Sequence, residues 1–304
     1  MNQNKPRYFE YTSAAVPIIN KLEPKKLSPS NNNQFSNTPY TSPNMYAFYI
    51  ILKDKLYNQD ISMTTSNVYY ILQGSGTSTI NTVNNNFASV FPEDKIITWS
   101  KGDIFTIPFA NGTVSHKKND DCKEEIIIFT VNDLPLMMYL NCKPSLPRFK
   151  VTYYNHEEMM KEIEKYNSQE NATKRNRNGI LLSNYQMIEE KLNTLTHSMW
   201  SLLNVINGNT IQKPHRHNSI AIDLCTEMND NDYGKIYTLM GENIDDDGNI
   251  IEPVKMLWKK NCTFTTPPGW WHSHHNESDN PAWVFPVQDA GLHTYFRTLD
   301  IQFK

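Results

Sequence analysis

The sequence predicts an all-β protein in which two blocks of strands are joined by a short helical connector. Short runs rich in β-branched and aromatic residues recur along most of the 304 residues, separated by Gly, Asn and Asp. Aromatics make up 12% of the chain, beside 17 Pro and only 11 Gly, which suits heavy cores between sheets better than long helices. Helical periodicity is confined to the middle of the chain. The length fits about two domains at roughly 150 residues each.

Residues 1–45 read as an N-terminal arm. Within it Ser28–Asn44, SPSNNNQFSNTPYTSPN, is polar and nearly free of aliphatics, so burial cannot offset its ordering entropy. Residues 46–140 form the first block, with strands expected over Asn67–Gly74, Ser78–Val83, Lys95–Trp99, Asp103–Pro108 and Glu125–Val131. Asn84–Asn86 reads as a turn. Residues 141–197 form the connector. Asn155 fits an N-cap with Glu158 three residues on, and Met159, Met160, Ile163 and Tyr166 follow at helical spacing. Gln169–Asn178 is charged and Asn-rich, and a second short helix is expected over Asn184–Leu192. Strands resume in residues 198–304: Met199–Val205, Ile220–Cys225, Lys235–Met240, Ile251–Trp258, Thr263–Thr266, Ala282–Val287 and Tyr295–Phe303. Asp245–Gly248 is the turn of a hairpin. Regular short strands of this kind build a sandwich or barrel.

Charge excludes some partners. Lys+Arg is 29 against Asp+Glu 32, a net charge of −3, which gives neither a nucleic-acid footprint nor a polybasic membrane patch. No apolar run is long enough to span a bilayer. The first residues lack an apolar run followed by a small-residue cleavage site, so the expected compartment is the cytoplasm. The four cysteines, Cys122, Cys142, Cys225 and Cys262, are too far apart for a zinc knuckle.

The histidines are the main functional signal. None occurs before His116. The second block holds His215 and His217, then Pro267-Pro-Gly-Trp-Trp-His272, then Ser273-His274-His275-Asn276. On a strand, residues i and i+2 share a face, so His215 and His217 point one way and Arg216 the other. His272 follows a Pro-Pro-Gly turn about 55 residues on. Three neutral imidazoles meeting inside a small barrel make a site for a first-row metal.

The strings HRH at 215–217 and PPGWWHSHHN at 267–276 resemble the two cupin motifs, and Gly102–Pro108 with His116 repeats the second in weaker form. The chain therefore resembles a bicupin, two jelly-roll (cupin) barrels. It is most similar to the gentisate 1,2-dioxygenase group, through PHRHNSIAIDL (214–224), residues 266–301 and FTVNDLPLMMYLN (129–141). The resemblance covers roughly residues 60–303. It implies His215, His217 and His272 as iron ligands and His274 as the catalytic histidine beside the substrate. In that family the metal barrel is normally the N-terminal one, sometimes both; this chain departs from the pattern, since its first block has no His-x-His, so a degenerate first barrel and a metal-binding second one are expected.

The family's carboxylate-gripping arginine would stand at Asp223, where a carboxylate instead repels an aromatic acid. At ~3.3 Å per residue a regular strand carries Asp223 ~20 Å from His217, so it becomes a ligand only if the strand bends sharply. Substrate contacts are expected from Asp223, from Trp270 and Trp271 flanking the third histidine, and from Arg297 on the last strand. The expected cofactor is Fe(II), with Zn, Ni or Mn as alternatives. The expected partners are a small hydroxylated aromatic acid and O2, with no nucleic acid and no membrane; association into a homo-oligomer through sheet edges is a further expectation. The rival reading is a non-catalytic or non-redox metal-binding bicupin that holds a small ligand.

Overall fold

The computed structural model describes residues 21–22, 41–52, 56–82, 96–169 and 178–304. The expected turn at Asn84–Asn86, most of the polar stretch 28–44 and residues 170–177 of the charged stretch Gln169–Asn178 lie outside the described residues. The first strands are β1 (Lys21–Leu22), β2 (Tyr46–Leu52), β3 (Leu56–Asp60), β4 (Ser66–Gln73) and β5 (Ser75–Thr82). They are followed by β6 (Ile96–Ser100), β7 (Ile104–Pro108), β8 (Gly112–Lys118) and β9 (Ile126–Asn132). Next come α1 (Leu134–Tyr139), β10 (Thr152–Tyr154), α2 (His156–Asn167), β11 (Asn178–Leu182) and α3 (Tyr185–Glu189). The later part contains β12 (Trp200–Ile206), β13 (Thr210–His217), β14 (Ala221–Glu227), β15 (Ile236–Gly241) and β16 (Val254–Leu257). It closes with β17 (Thr263–Thr266), β18 (Trp271–Asn276), β19 (Ala282–Gln288), α4 (Ala290–Phe296) and β20 (Ile301–Phe303).

These strands pair into four antiparallel sheets. In the first barrel the sheet β10-β7-β4-β9-β2 faces β3-β8-β5-β6, with Tyr69, Ile71, Phe105, Ile128 and Trp99 in the core between them. In the second, β1-β17-β14-β19-β12-β11 faces β16-β15-β18-β13-β20 around Cys225, Met240, Trp258, Phe264 and Val284. A third core lies between the barrels. There Tyr70, Leu72 and Phe129 of the first pack with Leu203, Ile222, Phe285 and Val287 of the second. The larger sheets are thus covered on both faces, which explains why β4 and β9 read as continuous apolar runs instead of alternating. β5 and β6, with one face in water, do alternate.

Polar contacts reinforce the shared core. Tyr49 Oη donates to the Asn261 carbonyl at 2.8 Å, and Ser198 Oγ reaches both Ser66 Oγ (2.9 Å) and Asp133 Oδ2 (3.1 Å). The linking stretch is more than a helical connector, because β10 joins the first barrel's large sheet and β11 the second's. α2 begins where its N-cap predicts: Asn155 Oδ1 accepts from the Glu158 N–H at 3.2 Å, and Met159 and Ile163 are buried. α3 is shorter than expected.

One expected strand is corrected. Tyr295–Phe303 is not continuous: residues 290–296 are helical, Arg297 caps the helix with φ +60°, and only residues 301–303 pair as a strand. Adjacent Tyr295 and Phe296 are both exposed, so no sheet face is available to reward their β propensity. Among the described residues no helix is long and apolar enough to cross a membrane, and all four cysteines are free.

Phe285 is fully buried between the barrels. Its replacement by alanine is expected to cost about 3–5 kcal/mol, read by urea unfolding.

Candidate metal centre

The site grows out of β13 and β18. His272 and His274 lie two residues apart on β18, so their side chains share the inward face, with Trp271 and Ser273 on the other. Across the ladder Gln212 pairs with His274 and His215 with His272. Three residues of β13 thus span two of β18, which is a bulge at Lys213–Pro214. Proline has no N–H to give to the ladder, and a bulge is where a sheet tolerates it. The extra residue resets the alternation. Without it His215 and His217 would face away from Gln212; with it they point into the barrel.

His215, His217 and His272 converge there. All three are buried, and their ligand nitrogens lie within 4.8 Å of one another. Ring centroids are 3.9 Å apart for His215–His272, 4.9 Å for His217–His272 and 5.6 Å for His215–His217. Two of the rings are fixed by backbone carbonyls: His217 Nδ1 lies 2.8 Å from the Ser219 oxygen, and His272 Nδ1 lies 3.1 Å from that of Trp270. A carbonyl only accepts, so each Nδ1 carries the proton and each Nε2 keeps its lone pair. Phe303 stacks on the His215 ring at 5.6 Å and 12°. No carboxylate or thiol among the described residues joins the group. Imidazole nitrogens bind a first-row ion at ~2.1 Å, which would set them about 3–4 Å apart. Three neutral nitrogen donors with no thiolate suit a divalent first-row ion, so the residues fit the expected metal.

Beside the triad lies His274, its ring 5.9 Å from His272 and 6.5 Å from His215. Its Nδ1 is 2.8 Å from Thr238 Oγ1, which also receives Trp258 Nε1–H at 2.8 Å. Indole only donates, so Thr238 Oγ1 accepts from Trp258 and still has its own proton to give to His274 Nδ1. A neutral His274 that accepts that proton's bond carries its hydrogen on Nε2.

The first barrel repeats this relay. Trp99 Nε1–H donates to Ser78 Oγ at 2.8 Å, and Ser78 Oγ is 2.8 Å from His116 Nδ1. Ser78 pairs with His116 across its ladder as Thr238 pairs with His274. His116 is therefore the counterpart of His274, not of a ligand. The counterpart of His272 is Val114, whose cross-strand partner Gln59 occupies the place of His215. Ile61, two residues on, stands for His217. The first barrel keeps the relay and has lost the triad.

Among the remaining expected residues, Asp223 is buried on the inward face of β14, where its Oδ2 accepts from Thr266 Oγ1 at 2.6 Å. Trp270 packs, partly buried, on the second barrel's core. Trp271 is corrected: it faces out of the barrel, opposite His272, with the Arg216 guanidinium 5.1 Å over its ring. Arg297 is corrected too, since it sits exposed at the end of α4 and does not join a strand face. His275 turns outward and stacks on Tyr237 at 4.8 Å. Sequence reasoning missed Thr238, Trp258 and Phe303. The signal for the first two was the repeat: Ser78, Trp99 and His116 recur as Thr238, Trp258 and His274 at nearly equal spacing.

Desolvation pushes the buried His116 down to about 3. The unfolded chain takes up this proton near pH 6.5 and the folded one only near 3, so the stability His116 confers by staying neutral is complete above pH 6.5 and lost toward pH 3. Replacing His116 with Phe is expected to flatten stability between pH 6 and 4 by a few kcal/mol relative to wild type, measured by urea unfolding at each pH.

No protein-family model and no curated protein matches the chain. Solved structures do. Salicylate 1,2-dioxygenase from Pseudaminobacter salicylatoxidans superposes with a TM-score of 0.66 at 12% identity, covering all of this chain and 91% of that one. Its adduct with gentisate gives 0.67 at 11% identity, covering 95% and 85%. Procruciferin, an 11S globulin from Brassica napus, gives 0.52 at 12% identity, covering 86% and 78%. With four antiparallel sheets in two packed barrels, the chain has the two-barrel cupin fold of the salicylate 1,2-dioxygenase structures.

Proposed function

We propose that this protein is an Fe(II)-dependent dioxygenase of the gentisate 1,2-dioxygenase-like bicupin type. It holds its metal on His215, His217 and His272 in the second barrel and acts on a small hydroxylated aromatic acid with O2. The observation that carries the reading is the convergence of three buried imidazoles, two of them held by backbone carbonyls through Nδ1 so that the lone pair lies on Nε2. The likeness to salicylate 1,2-dioxygenase, one of whose structures is a gentisate adduct, supports the choice of chemistry. Fold alone would not, because one architecture hosts unrelated functions.

Iron bound here would pass electron density from an electron-rich ring to O2, so that the ring itself is the group oxidised. In ring cleavage both oxygen atoms enter the product as the carbon–carbon bond breaks, so no external reductant is consumed. The rest falls to the protein's own groups. His274, held by Thr238 and Trp258, presents Nε2–H as a donor to a substrate oxygen and orients it. Met240 and Phe264 keep the barrel interior apolar and exclude water. Phe303 and Ile301 lie exposed on the edge strand paired with His215 and His217, so this strand is the side of the triad nearest to solvent in the reading proposed. Asp223 disfavours a substrate carboxylate on its side, so the acid group of the substrate points away from β14.

Anaerobic loading with Fe(II) followed by oxygen-uptake measurements against a panel of dihydroxybenzoates tests the reading. Uptake is expected with at least one acid, and alanine at any of the three ligand positions is expected to abolish both iron retention and uptake. Thr238→Val is expected to keep the iron and slow turnover by about a hundredfold. Stoichiometric zinc in protein purified without chelators, with no uptake after iron loading, would favour the non-redox reading instead.

A further inference from the structure

The sheet that carries the triad has an open edge. Its order is β16-β15-β18-β13-β20, and among the described residues no strand pairs with the outer side of β20. Two hydrogen bonds fix which backbone groups lie on that side. Lys304 N–H donates to the Pro214 carbonyl at 3.1 Å, and Asn218 N–H donates to the Asp300 carbonyl at 3.2 Å. Between them the register pairs His215 with Phe303, Arg216 with Gln302 and His217 with Ile301. Successive residues of an antiparallel strand turn their N–H and C=O to alternate sides. Asp300, Gln302 and Lys304 therefore face β13 with their backbone groups, while Ile301 and Phe303 present theirs to the open side.

An open edge is a template for another strand, and charged residues normally guard it. Here the charges complement one another. Pairing two copies antiparallel about Gln302 is the register that engages all of residues 300–304. It sets each Asp300 opposite the partner's Lys304 and each Ile301 opposite the partner's Phe303. It also makes Ile301 and Phe303 the hydrogen-bonded positions, at which facing residues exchange both of their backbone bonds. A slip of two residues either way leaves the charges unopposed.

These side chains are open to such a contact. Ile301 is 40% exposed and Phe303 58%, and Tyr295 and Phe296, on the helix that leads into the strand, are exposed as well. Asp300 and Lys304 are exposed, and among the described residues neither forms an ion pair. Asp300 Oδ2 accepts only from the neutral Gln302 Nε2, at 3.0 Å. Asp247 lines the same groove as Lys304 without pairing with it. Opposite charges and an aromatic facing a β-branched residue are both favourable cross-strand pairs.

We propose that β20 is a homodimer interface, at which two copies of this chain join edge to edge about a two-fold axis through Gln302. The two histidine-bearing sheets then form one continuous antiparallel sheet, and the contact is isologous. It is a small interface, so association falls in the micromolar range. It needs neither the metal nor the ring-cleaving chemistry and is therefore independent of the dioxygenase reading.

Sedimentation velocity of the metal-free full-length chain, from about 1 to about 200 µM, tests it. A reversible monomer–dimer equilibrium is expected. Asp300→Lys, which sets lysine against lysine, is expected to weaken association by about tenfold or more, and adding Lys304→Asp to that variant is expected to restore it. Ile301→Pro removes an N–H from the open side only. It is expected to leave the chain monomeric with an unchanged circular dichroism spectrum. A wild-type chain that stays monomeric over the whole range overturns the proposal. So does a dimer that is indifferent to Ile301→Pro, or one that the doubly reversed variant fails to restore.

Discussion

In a sheet covered on both faces, every second side chain belongs to a different core. In β14 this alternation sends Ile222 and Leu224 to the interface between barrels and Asp223 and Cys225 into the second barrel. In β4 it sends Tyr70 and Leu72 to the interface and Tyr69 and Ile71 inward. The same rule decides which histidines meet. One extra residue at Lys213–Pro214 reverses the phase of β13 and brings His215 and His217 round to His272. A slip of one residue would turn them into the opposite face and dissolve the triad. The interface core holds the large sheets against each other, and the smaller sheet carrying the histidines closes over the second barrel's interior.

The first barrel shows what this architecture does without the triad. It retains a tryptophan, a hydroxyl and a histidine in series, yet Gln59, Ile61 and Val114 stand where the second barrel has three imidazoles. Among the described residues the amide atoms of Gln59, Tyr69 Oη and His116 Nε2 are buried without a well-formed hydrogen bond. Burial drives the Tyr69 phenol well above its ordinary value, with the Gln59 side chain acting in the opposite direction. A polar remnant thus persists inside a core that is otherwise aliphatic and aromatic, at the place where the second barrel gathers its imidazoles.

Much of this was legible in the residues, for identifiable reasons. The spacing of His215 and His217, and the Pro-Gly turn before His272, announce a shared face because strand alternation is local. The cap at Asn155 is local as well. What could not be read depends on pairing at a distance. Trp271 sits next to a ligand in sequence but on the other side of the sheet, where Arg216 covers it. Tyr295–Arg297 has strand-forming residues, yet no neighbouring strand accepts them and the segment winds into α4. The hydrogen-bond series through Thr238 becomes visible only when the two halves of the chain are compared, since each member comes from a different strand or turn.

Diffraction from iron-loaded crystals, collected at the iron absorption edge, tests the central claim most directly. A single anomalous peak is expected within bonding distance of Nε2 of His215, His217 and His272, with the Nδ1 contacts to the Ser219 and Trp270 carbonyls intact. A peak elsewhere in the chain, coordination through Nδ1, or no peak in the second barrel at full iron loading would contradict it.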